Sequence, residues 1–198
     1  MDPLDIAPKR TSWRWLDMVV GTSAIVIAVI SLVVALRQSQ IMERQLAASI
    51  WPYLQYGISN GTDDGKKVIS FDIENVGIGP AQVHAVSMRY KDKPLHDIHD
   101  LVIACCSDLL DTKGKPKFWS NSLHSRVLAP NHPISFLTLI DAPENAAYWD
   151  RLNVEAAKIE FKACYCSVLE QCWMIDSNRD DRTPLAACPA AQPDDYNG

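Results

Sequence analysis

A chain of 198 residues with 19 Lys and Arg against 24 Asp and Glu carries a formal net charge of −5. Nucleic acid is a poor partner for such a surface, because its phosphates repel acidic protein. Six cysteines, an even number, suit structural bridges in an oxidising compartment.

Residues 1–15 hold Pro3 and Pro8 among scattered charges without periodicity, so a short disordered N-terminal tail is expected there. Residues 18–36 are nineteen consecutive uncharged positions between Arg14 and Arg37. At about 1.5 Å per residue they cover roughly 28 Å, close to the roughly 30 Å hydrocarbon layer of a bilayer. Ile25, Val26, Ile27, Val29, Ile30, Leu32, Val33 and Val34 make the run apolar all round, whereas a helix on a soluble core keeps a polar stripe. Trp13 and Trp15, beside Lys9, Arg10 and Arg14, read as interfacial anchors. The run exceeds the roughly 7–15 apolar residues of a cleaved signal peptide, and the small residues Ala47, Ala48 and Ser49 lie beyond a charged stretch. An uncleaved transmembrane helix is therefore expected over residues 16–37.

Its direction is less marked. Lys9, Arg10 and Arg14 precede the span, and Arg37 and Arg44 follow it, a thin margin by the positive-inside rule. The cysteines decide for an exported C-terminal domain. Residues 38–50 lack Gly and Pro and are rich in helix formers, which predicts a helical juxtamembrane stem ending before Pro52. Homo-oligomerisation through stem or span stays open, since the apolar positions Ile41, Met42 and Leu46 do not persist over several heptads.

From Trp51 onward the chain holds 14 Lys and Arg against 20 Asp and Glu, a charge of −6 on material enough for one domain. Residues 51–58 suit a strand, with Asn60-Gly61 and Asp64-Gly65 as turn chemistry. Ile69, Phe71 and Ile73 alternate with Ser70, Asp72 and Glu74, the period of a half-buried strand. The loop Asn75-Val76-Gly77-Ile78-Gly79-Pro80 is read as a tight connection using positive φ at its glycines, and residues 81–90 as the partner strand up to a Lys91-to-Pro94 turn. Ile98, Leu101, Val102, Cys105, Cys106 and Leu109 fall on one helical face, with Asp97 as N-cap and Gly114 beyond the end. The cluster Lys113, Lys115 and Lys117 is read as a solvated loop. Residues 125–128 and 134–140 read as strands around a Pro130 and Pro133 turn, then a short helix capped by Asp141. Ile159, Phe161, Ala163 and Tyr165 alternate as another half-buried strand, and residues 172–176 return beside it. Six to eight strands with one or two inserted helices make the fold class mainly β: an antiparallel sandwich over residues 51–176, followed by an irregular tail over 177–198.

Trp51-Pro52-Tyr53-Leu54, the Asn75-to-Ala81 loop and Leu128-Ala129-Pro130-Asn131, following one span and a Gln-rich stem, form a pattern. It resembles uncharacterised bacterial single-pass membrane proteins with an immunoglobulin-like β-sandwich. The resemblance covers residues 15–140, implies an anchor plus a sandwich, and carries no activity.

The candidate site residues are the cysteines Cys105, Cys106, Cys164, Cys166, Cys172 and Cys188. A hairpin over residues 167–171 would set Cys166 opposite Cys172, within reach of a bridge. Cys164 shares their strand face, with Cys188 or a helix cysteine as its partner. A metal site is the rival reading, with Cys164-x-Cys166-x5-Cys172 supplying soft ligands and His96 or His99 nitrogens, but the spacing is not that of a zinc finger or ribbon. No catalytic or cofactor-binding residue is assigned: G-x-S-x-G, H-E-x-x-H and Walker-type loops do not occur, and Pro80 removes an amide that a phosphate cradle would use. Trp119, Trp149 and Trp173 are read as buried aromatics.

The expectation is a non-enzymatic binding or sensing module without cofactor, anchored in a bacterial inner membrane with its domain in the periplasm and recognising a protein or envelope component. Alternatives are an immunity or defence protein against a toxin or phage factor, a cytoplasm-facing metal-binding domain, or an enzyme of unfamiliar motif.

Overall fold

The computed structural model describes residues 13–62, 64–190 and 192–197. The tail expected over residues 1–15 lies outside them up to residue 12. Span and stem form one unbroken helix, α1, Trp13–Ser49. Met18, Ile25, Ile27 and Leu32 are exposed along it, where a core helix of a soluble protein would be buried. The helix is long and apolar enough to cross a membrane. Two of its hydroxyls bond back to the helix backbone: Thr22 Oγ1 donates to the Met18 carbonyl at 2.9 Å, and Ser23 Oγ to the Val20 carbonyl at 2.8 Å.

The remainder of the chain builds two antiparallel sheets. The first has the order β1-β2-β7-β5, from β1 Leu54–Ser59, β2 Ile69–Asn75, β7 Ile134–Leu139 and β5 Phe118–Ser120. The second has the order β10-β9-β8-β3-β4, from β3 Ala81–Tyr90, β4 Lys93–Leu95, β8 Ile159–Cys166, β9 Cys172–Asp176 and β10 Thr183–Leu185. The short β6, Val127–Leu128, also pairs with β3. Aromatic rings join the inner faces: Tyr56 of β1 stacks on Phe161 of β8 with centroids 4.5 Å apart, and Phe136 of β7 lies 5.5 Å from the same ring. Burying each such ring contributes roughly 1.5–3 kcal/mol.

Helix α2, Ile98–Lys113, starts where the sequence places it, with the Asp97 carboxylate accepting from the Asp100 N–H. It buries Leu101, Val102, Cys105 and Cys106, so its apolar face lies on the core. The second helix departs from expectation. Asp141 does not cap it; a 3-10 turn, Pro143–Asn145, precedes α3, Ala146–Glu155. The Asn145 side chain is engaged elsewhere, accepting from the Lys117 N–H at 2.9 Å and donating to the Lys117 and Ile140 carbonyls at 2.8 Å each.

Three further expectations are corrected. The turn before β4 narrows to Lys91 and Asp92, whose φ of 49° and 64° match a two-residue hairpin turn, so Lys93 and Pro94 pair as a strand. Gly77 and Gly79 do not use positive φ. They are glycines because backbone passes against them: a Cβ on Gly77 would lie 2.4 Å from the Tyr53 nitrogen, and one on Gly79 would lie 1.9 Å from the Ile50 oxygen. Lastly, the described residues of the tail expected over 177–198, which are 177–190 and 192–197, do not lie outside the domain. β10 pairs with β9, the Tyr196 N–H donates to the Val86 carbonyl at 2.7 Å, and the Tyr196 ring, 1 % exposed, meets Phe136 edge-on at 6.1 Å.

Asn75 holds this architecture where loops converge. Fully buried, it accepts at Oδ1 from the Tyr53 and Gly77 N–H groups, both at 3.1 Å, and donates through Nδ2 to the Gly79 and Leu128 carbonyls at 2.8 and 3.0 Å. One amide thus satisfies four backbone groups drawn from three segments.

Candidate functional site

The cysteines of β8 and β9 gather on one face of the second sheet. Strand alternation sends Phe161, Ala163 and Tyr165 into the common core, so Cys164 and Cys166 point to the opposite face. Cys166 stands in register with Cys172 across the hairpin, and the two are bridged over a Cα separation of 4.0 Å. Cys164 is bridged to Cys188, which the residues after β10 bring back across the sheet. The two bridges touch: Cys166 Sγ lies 3.6 Å from Cys188 Sγ, and the sulfurs of Cys166, Cys172 and Cys188 all lie within 4.8 Å of one another. That gathering is what a soft-metal site needs in space, yet a bridged sulfur lacks the thiolate charge that binds zinc. A cavity of about 330 Å³ opens beside the bridges, lined by Gln82, His84, Glu170, Cys166, Cys172 and Cys188.

The helix cysteines do not reach this cluster; Cys105 is bridged to Cys106, its neighbour in sequence. Successive residues of a regular α-helix point about 100° apart, so a bridge between them needs other backbone angles. Cys106 supplies these, with φ −142° and ψ 24° inside α2. The kink has no signature in the apolar periodicity.

His96 and Asp100 pair beside the α2 N-terminus, Nδ1 to Oδ2 at 2.8 Å, while Asp194 stands 3.9 Å from Nε2. The Asp100 bond raises the His96 pKa, and the His96 backbone N–H, followed by its ring, lowers that of Asp100. Ser167 Oγ accepts from the Leu169 and Gln171 amides inside the cysteine hairpin, and Ser177 Oγ accepts from the Phe161 amide. Burial, followed by the Asp72 charge, raises the Tyr56 phenol, and burial pushes that of Tyr196 up to about 12.

Sequence reasoning missed Arg182. Its Nε and Nη2 both donate to the Leu54 carbonyl, at 2.8 and 2.6 Å, and its guanidinium lies 4.7 Å from the Tyr53 ring centre. Two donors on one carbonyl seal part of the free edge of β1. Only the fold reveals a contact that crosses 128 positions. Trp119, expected in the core, is exposed on the edge strand β5, whereas Trp149 and Trp173 pack against the core half-buried. Of the lysine cluster, Lys117 pairs with Glu144.

No curated protein and no solved structure matches the chain. Residues 15–179 match the model of the family described as Domain of unknown function (DUF8453), and the chain belongs to that family.

Proposed function

We propose that the protein is a non-enzymatic binding or sensing module: an immunoglobulin-like β-sandwich anchored in a bacterial inner membrane by α1, with its domain in the periplasm, recognising a protein or envelope component. The observation that carries this reading is the joint presence of a helix fit to cross a membrane and six cysteines all engaged in bridges. Bridges of this kind persist outside the reducing cytosol. Asp97 caps α2, and Ser167 and Ser177 hold backbone amides. Trp119, exposed on an edge strand, is the kind of anchor around which protein interfaces are built.

Reporter fusions joined after Gly198 test the topology. Alkaline phosphatase activity there supports the reading. An inactive phosphatase beside an active cytoplasmic reporter rejects it, and points to a domain with reduced thiols on the other side.

A further inference from the structure

We propose that Cys164, Cys166, Cys172 and Cys188 form a thiol–disulfide exchange centre, in which opening of the Cys166–Cys172 bridge by a low-molecular-weight thiol is passed on to the Cys164–Cys188 bridge. The contact between the two bridges is the basis. Cys166 Sγ and Cys188 Sγ are 3.6 Å apart, just outside the roughly 3–3.5 Å at which reacting atoms are poised.

The exchange proceeds in two steps with no net oxidation beyond that of the incoming thiol. The incoming thiolate, its proton given to water, enters the cavity of about 330 Å³ and attacks Cys172 Sγ. A bond forms between the external sulfur and Cys172, the Cys166–Cys172 bond breaks, and its electron pair leaves on Cys166. The Cys166 thiolate then attacks Cys188 Sγ. The Cys166–Cys188 bond forms, the Cys164–Cys188 bond breaks, and Cys164 leaves as a thiolate that takes up a proton. Cys172 ends as a mixed disulfide, and Cys164 as a thiol.

Access sets where the exchange ends. Cys166 and Cys172 are each 6 % exposed and line the cavity, Cys188 is half-buried beside them, and Cys164 is 0 % exposed. The cavity thus opens on sulfurs of both bridges, and the exchange leaves its free thiol at Cys164, the position least open to further attack. The segment carrying Cys188 stays covalently attached throughout, its attachment moving from Cys164 to Cys166.

The test uses purified full-length protein in detergent, so it is independent of which side of the membrane the domain occupies. The protein is titrated with limiting glutathione, quenched in acid, alkylated after unfolding and mapped by non-reducing peptide mass spectrometry. The expected result is a new Cys166–Cys188 peptide, an equal loss of the Cys164–Cys188 peptide, glutathione on Cys172 and the alkyl label on Cys164. An unchanged Cys164–Cys188 peptide with the label on Cys166 overturns the proposal, as does glutathione on Cys188 with the Cys166–Cys172 peptide intact. Cys172→Ser, which leaves Cys166 a permanent thiol, is expected to yield both Cys164–Cys188 and Cys166–Cys188 peptides from one folded preparation; Cys164–Cys188 alone also overturns it. Should that variant fail to fold, the glutathione titration of the unaltered protein decides the matter.

Discussion

Gly79 lies against the Ile50 carbonyl so closely that a methyl group on its Cα would stand 1.9 Å from the oxygen. The neighbour is backbone, so it cannot swing aside as a side chain would. Gly79→Ala is expected to destabilise the domain by about 3 kcal/mol, lowering Tm by roughly 6–12 °C. Gly57→Ala is the matched control. Nothing stands within 4 Å of its added Cβ, so calorimetry should show Tm unchanged or slightly raised.

Asn75→Ala removes four hydrogen bonds at once and leaves the Tyr53 and Gly77 donors and the Gly79 and Leu128 acceptors without that partner. A loss of about 3 kcal/mol or more is expected in urea unfolding. Asn75→Asp separates the two halves of the site. A carboxylate still accepts from the amides but cannot donate to the carbonyls, so it should also lose stability at neutral pH, and recover part of it in acid.

These two residues show what the sequence made legible. The Asn75-to-Pro80 stretch announced a tight connection, and alternation in residues 69–73 and 159–165 marked half-buried strands, because period and turn chemistry are local. The reason for the glycines was not local. It depends on residues 50–53 crossing behind the loop, which no pattern within the loop encodes. Cys166 and Cys172 were readable as hairpin neighbours from their spacing, whereas the pairing of Cys164 with Cys188 depends on where β10 returns the chain. The Cys105–Cys106 bridge broke a helical pattern that was otherwise correct. β5 and β10 are three residues long, too short for periodicity to reveal, whereas β6 falls inside the strand read over residues 125–128.

Glu155 gives the domain an acid-sensitive element. The Tyr90 hydroxyl, followed by Lys158 and Lys91, lowers its carboxyl pKa to about 2. A carboxyl depressed in the folded state stabilises above its unfolded pKa, near 4.3, and that contribution fades as pH falls toward the folded value. Stability measured by denaturant unfolding should therefore decline from about pH 4.5 to pH 2. Glu155→Gln should flatten this part of the profile, and an unchanged slope would remove Glu155 from the account.

Tyr196→Ala takes a ring that is 1 % exposed out of its place beside Phe136. About 3 kcal/mol should be lost, since the cavity lies where both sheets meet. Tyr196→Phe keeps the ring and should retain most of the stability, which thermal unfolding of the two variants side by side will show. Equal behaviour of both would assign the effect to the hydroxyl instead.

The Tyr196 ring also sets an order of events during synthesis. Phe136 and most of both sheets are made well before residue 196, so the emerging chain spends an interval with an open seam between Val86 and Phe136. In that interval Cys105 and Cys106, and then Cys166 and Cys172, can close locally, while Cys164 waits for Cys188. The domain is a clasp whose pin arrives last, and a ribosome stalled before residue 188 would leave it hinged open with its apolar lining on show.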